Sequence, residues 1–131
     1  MSDAKNRRYP RVPVDLQATL YILIPEETFQ PMIHNVRVCD LSERGAMAEF
    51  ETHETTVKTL LRATRYCRLS FQEEDGLPQK VIGKAVWVQP IGSGDTVKCR
   101  LGLFFEDAPE TTVATLRAYV EKRLRELSRS E

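Results

Sequence analysis

The chain of 131 residues has no excess of either charge: 19 Lys and Arg balance 19 Asp and Glu. That balance argues against a protein that coats nucleic acid without regard to sequence, because such proteins are basic overall. No apolar run approaches the roughly 18 residues that cross a bilayer, and the polar N-terminus lacks the apolar segment of a secretion signal. A cytoplasmic location without membrane insertion is the expectation. Cysteine is scarce. Cys39, Cys67 and Cys99 are odd in number, far apart, and form no Cys-x-x-Cys pair. They read as small buried apolar residues, not as disulfides or metal ligands. His34 and His53 stand alone, with nothing near them at metal-ligand spacing. No nucleophile is paired with a base, so an enzyme is not expected and no cofactor is implied. Internal repeats and low-complexity segments are also missing.

What remains is a length that suits one domain, with 41% apolar residues to build its core. Residues 1–12 are polar and basic and read as an N-terminal arm. From Val14 the pattern changes. Val14, Leu16, Ala18, Leu20, Ile22 and Ile24 fall on one parity, with Asp15, Gln17 and Thr19 on the other, which is the mark of a half-buried strand. Further strands follow in "MIHNVRVCDL", "GAMAEFE", "RYCRLSFQE", "QKVIGKAVWVQP" (stopped by Pro90) and "TVKCRLGLFFE". The stretch "HETTVKTLLRAT" suits a short helix or an irregular crossover. Turns of hairpin length join most of the strands, which calls for an antiparallel sheet. Six twisted strands tend to close into a barrel, which removes exposed edges.

After Pro109 the period becomes helical. Val113, Leu116, Val120, Leu124 and Leu127 form one apolar stripe, and Pro109 and Glu110 suit a helix start. The fold class expected is mainly β: a six-stranded antiparallel β-barrel over residues 13–107, with a C-terminal α-helix, 108–131, packed against it.

Two stretches carry chemistry. Arg7-Arg8-Tyr9-Pro10-Arg11 contains Arg-x-x-x-Arg, and Asp40-Leu41-Ser42-Glu43-Arg44-Gly45 reads Asp-x-Ser-x-x-Gly. Taken alone, the second is an ordinary turn: Asp and Ser side chains bond nearby backbone N–H groups, and Gly takes a positive φ. Arg44 reads first as a solvated side chain. Glu73, Glu74 and Asp75 lie in a turn and read as solvated surface.

In this order, with the arm just before the first strand and the turn between the second and third, the two motifs resemble those of the PilZ domain. Gly83-x-x-x-Trp87 and the final "LGLFF" (Leu101 to Phe105) look like that family's barrel ending. The resemblance covers residues 7 to about 106. It implies a bacterial receptor for the second messenger cyclic di-GMP, held by Arg7, Arg11, Asp40, Ser42 and Gly45. Arg8 lies at a variable position inside the arginine motif. Trp87 reads either as a barrel-end aromatic or as a platform for guanine, and its parity is ambiguous because Val86 and Val88 make the opposite face the apolar one.

The residue types suit that ligand. A guanidinium is a planar fork of donors that matches a phosphate or the O6/N7 edge of guanine, and its face can stack on a purine. A carboxylate such as Asp40 accepts the N1–H and N2–H donors of guanine's other edge, and Ser42 can donate to a phosphate or carbonyl oxygen. One bidentate guanine contact is worth about 1–3 kcal/mol. A few of them reach micromolar affinity, about 8 kcal/mol, once the arm is ordered. The expected signal is ordering of the arm, which creates a surface for a downstream protein.

Two other classes compete with this reading. A small barrel gripping single-stranded nucleic acid needs aromatics interleaved with basic residues, for which Tyr9 and Trp87 are thin support. A non-binding interaction module would not need Arg7, Arg11, Asp40 and Ser42 intact.

Overall fold

The computed structural model describes residues 9–24, 32–92 and 94–129. Six strands and two α-helices follow in the order β1 (Val12–Leu23), β2 (Met32–Leu41), β3 (Gly45–His53), α1 (Glu54–Arg62), β4 (Tyr66–Phe71), β5 (Val81–Ile91), β6 (Thr96–Phe104) and α2 (Glu110–Arg129). The strands form two antiparallel meanders, β1-β2-β3 and β4-β5-β6. Pairing of β3 with β6 and of β1 with β4 closes them into a ring in the order β1-β2-β3-β6-β5-β4. Helix α1 bridges the two meanders.

Alternation along the strands explains the core. Leu16, Ala18, Leu20 and Ile22 of the first strand, with Ile24 just past it, point inward with Cys67, Leu69 and Phe71 of the fourth and Val97, Cys99, Leu101 and Leu103 of the sixth, and Phe105 follows them. Enclosing a side chain such as Phe105 or Leu20, each 0% exposed, contributes about 1.5–3 kcal/mol. Both helices feed this one core, α1 through Val57 and Leu60 and α2 through Leu116 and Val120.

Four details depart from the sequence reading. β1 begins at Val12, one residue inside the stretch read as the arm, and Val12 is fully buried. Pro90 does not stop β5, which runs on to Ile91. Pro90 pairs with Cys99 of β6, while the pairing of β5 with β4 ends at Lys84, so its missing N–H falls where no ladder on that side needs it. Cys67 and Cys99 are buried as expected, and burial pushes their thiols up to about 12 and about 11, but Cys39 is only half-buried. Finally, the stripe of α2 is covered only in part. Val113, Leu116 and Val120 are buried and Leu127 is partly buried against the core, whereas Leu124 is exposed.

Candidate functional site

The turn between β2 and β3 is held by its own bonds. The backbone N–H of Ser42 donates to the Gly45 carbonyl at 2.8 Å. The Ser42 hydroxyl accepts from the Arg44 N–H at 3.2 Å and leans on the Gly45 carbonyl at 3.5 Å. Ser42 is thus committed to the turn and almost enclosed. One further bond, from the Phe105 N–H to the Arg44 carbonyl at 2.8 Å, fastens the turn to the end of β6.

Gly45 has a reason different from the one expected. It does not take a positive φ. A Cβ at this position would stand 2.7 Å from the Leu103 carbonyl oxygen of β6, so close approach of two backbones excludes any side chain.

The turn and the residues preceding β1 meet. Arg11 Nη1 lies 3.5 Å from Asp40 Oδ1, although the two are 29 residues apart. A bulge between Val38 and Asp40 takes Asp40 off the strict alternation, so its carboxylate is accessible outside the sheet. Arg44 reaches the same place, its guanidinium 5.9 Å from the ring centre of Tyr9. Arg7 and Arg8 lie outside the described residues.

Between these groups and the outer face of β3, β6 and β5 is a cavity of about 360 Å³. Tyr9 and Arg11 line it from the leader, Ser42, Arg44 and Gly45 from the turn, and Val86, Trp87 and Phe104 from the strands. Asp40 is not part of the lining; its partner Arg11 is. No carboxylate is among the described lining residues. The lining combines two guanidiniums with three aromatic rings, which favours a flat and anionic guest. A second cavity, about 710 Å³, flanks α1 and gathers none of the residues singled out from the sequence.

The ambiguity of Trp87 is resolved by another bulge. The register shifts between Ala85 and Trp87, which turns Val86 and Trp87 both outward. The indole lies flat on Gly102 of β6, where any Cβ would overlap its Nε1 and Cε2. Gly83, four residues earlier, faces inward and makes room for the ring of Phe105, 3.0 Å from where a Cβ would sit. The Gly-x-x-x-Trp spacing therefore serves two faces of one sheet.

Sequence reasoning missed Phe104, although a signal existed: Leu103 and Phe105 point inward, so the residue between them points out. It also missed Glu43. That side chain receives a two-pronged bond from Arg117 of α2, with Nη2 to Oε2 at 2.9 Å and Nε to both oxygens at 3.2 Å. Nothing local in the sequence joins residues 74 apart.

The PilZ domain family model matches residues 5–122. The chain belongs to the PilZ domain family. None of the curated proteins matches it. Among solved structures, the PilZ domain of Escherichia coli YcgR with c-di-GMP is similar at a TM-score of 0.65 and 17% identity, over 95% of both chains. Borreliella burgdorferi PlzA in complex with c-di-GMP is similar at 0.56 and 15% identity, over 94% of this chain and 54% of its own. The Bacillus subtilis inhibitor of motility (MotI/DgrA) is similar at 0.54 and 17% identity, over 92% of this chain and 52% of its own. The chain spans about half the length of these last two. At such identities the likeness establishes the fold. Among the described residues there is no group of His, Cys, Asp and Glu that could hold a metal, and no helix long and apolar enough to cross a membrane.

Proposed function

We propose that this chain is a cytoplasmic bacterial receptor for cyclic di-GMP, and that it performs no catalysis. One observation carries the reading: Arg11 and Asp40 meet at the edge of a cavity lined by guanidiniums and aromatic rings. Family membership supports it, as do two similar structures whose names include the same ligand.

In this reading Arg7, Arg8 and Arg11 supply forks for phosphate oxygens and the guanine O6/N7 edge. Asp40 accepts from the N1–H and N2–H edge. Ser42 and Gly45 set the turn's shape, with the backbone of β3 drawn against β6. Trp87, spread over Gly102, offers a face for a purine. Binding draws the arm ahead of Val12 over the ligand, and the ordered arm presents a new surface to a downstream protein.

Calorimetric titration of the chain tests this. Cyclic di-GMP should bind saturably at micromolar affinity or better, about 8 kcal/mol, and GMP should bind poorly. Amide exchange across the arm ahead of Val12 should slow on binding; equal exchange with and without ligand ends the arm-ordering step. Binding of an oligonucleotide with a steep salt dependence, in the absence of any cyclic di-GMP binding, replaces the whole reading with a nucleic-acid module.

A further inference from the structure

The turn that carries Asp40 and Ser42 is held at three places. Its residues bond one another, Arg44 is fastened to β6 through Phe105, and Glu43 is fastened to α2 through Arg117. The first two holds each use backbone groups, helped in the first by the Ser42 hydroxyl. The third alone joins two side chains. Glu43 is not part of the cavity lining, and its carboxylate is only 12% exposed beneath the Arg117 guanidinium.

The anchor at the other end is firm. Leu116, next to Arg117, is fully buried, and Val120 one turn on is nearly so. The guanidinium is thus presented from a helix seated in the core. Partly exposed ion pairs add little to stability. A planar fork gripping both oxygens of a carboxylate does fix direction, because it tolerates few relative orientations. Direction matters here, since Asp40 sits at a bulge where the β2–β3 ladder is irregular and gives weak guidance.

We propose that Arg117 is a positioning residue: acting through Glu43, it holds the Asp40–Gly45 turn in the orientation that the cyclic dinucleotide requires, and so makes ligand affinity depend on α2. The inference rests on the cyclic di-GMP reading of the site. Linkage makes it reciprocal, so ligand that stabilises the turn must also tighten the seating of α2.

The test is calorimetric titration of the full chain with cyclic di-GMP for the wild type, Arg117→Ala, Glu43→Ala, the double variant and Arg117→Lys. Each alanine variant should bind about tenfold more weakly, and the double variant should be no weaker than either single one, as for two residues acting through one bond. Arg117→Lys keeps the charge without the fork and should also weaken binding, with an unliganded thermal midpoint close to that of the wild type. In the wild type, ligand should slow amide exchange in residues 110–129, and Glu43→Ala should abolish that slowing. Wild-type affinity in Glu43→Ala, with a loss in Arg117→Ala alone, would mean that Arg117 touches the ligand directly and overturns the positioning role. Losses that multiply in the double variant also overturn it, as does unchanged exchange in α2. A wild type that fails to bind cyclic di-GMP overturns the reading of the site itself.

Discussion

Two carboxylates on the outside of the closed sheet make an instructive pair. Glu49, on β3, faces Arg37 of β2 and Arg100 of β6, which are its register partners on either side. Arg100 Nε is 2.9 Å away, Arg37 Nη2 3.1 Å and Lys98 Nζ 3.5 Å. Those bonds, Arg100's first and Arg37's second, hold the Glu49 carboxyl down at about 2. Among the described residues Asp40 pairs with Arg11 alone, at 3.5 Å, and is more open to solvent. An ionised carboxylate can accept about four hydrogen bonds. Glu49 has filled most of that capacity from within the fold, whereas the described residues claim little of Asp40's, beside a cavity. Sign and location are alike; what separates a strut from a candidate binding group is how far its valences are already satisfied.

The sharpest way to break this contrast is to remove each carboxylate in turn. Asp40→Ala or Arg11→Ala should weaken cyclic di-GMP binding by roughly ten- to a hundredfold, the equivalent of one bidentate guanine contact at about 1–3 kcal/mol, while the thermal midpoint stays nearly constant. Calorimetry together with a thermal scan checks both halves.

Next in size is Gly45→Ala. Its Cβ must displace the Leu103 carbonyl, so overpacking should cost about 1–3 kcal/mol of stability and weaken binding as well, because it wedges the turn off β6. A denaturant titration that matches the wild type would dissolve the close-approach argument.

Glu49→Gln should do the reverse of Asp40→Ala: affinity unchanged, stability modestly lower, and a gentler acid limb. The sign follows from the depressed folded value. An ordinary Glu carboxyl titrates near 4.3 and this one near 2. The stabilisation is therefore complete above about 4.3 and disappears as the pH falls toward 2. Thermal midpoints measured between pH 6 and pH 2.5 should fall more steeply in the wild type than in the variant.

Much of this was legible in the sequence, for physical reasons. Strict alternation made β1 and β6 readable, and the helical period made α2 readable, because burial on one face leaves a periodic trace. The arginine and aspartate motifs were legible as residue types, and Arg11 of the first lies 3.5 Å from Asp40 of the second. The misses cluster where periodicity fails. The bulge before Trp87 hid its outward aim, and the open flank of β5 let Pro90 stay within a strand. Gly45 obeys a contact with a strand nearly sixty residues away, not a local dihedral demand. The Glu43–Arg117 bond leaves no trace at all, since any Glu in a turn and any Arg on a helix flank look solvated.

The pairing of β3 with β6 also bears on how the molecule is made. Gly45 meets Phe104 across that seam, and Trp87 lies over Gly102 beside it. Every other wall of the cavity is synthesised earlier, yet the floor is absent until the sixth strand leaves the ribosome. Such a long sequence separation also makes this seam one of the slower contacts to form. A nascent or clipped chain that lacks β6 thus lacks the floor of this cavity, and the cavity takes shape only once the sixth strand has paired with the third.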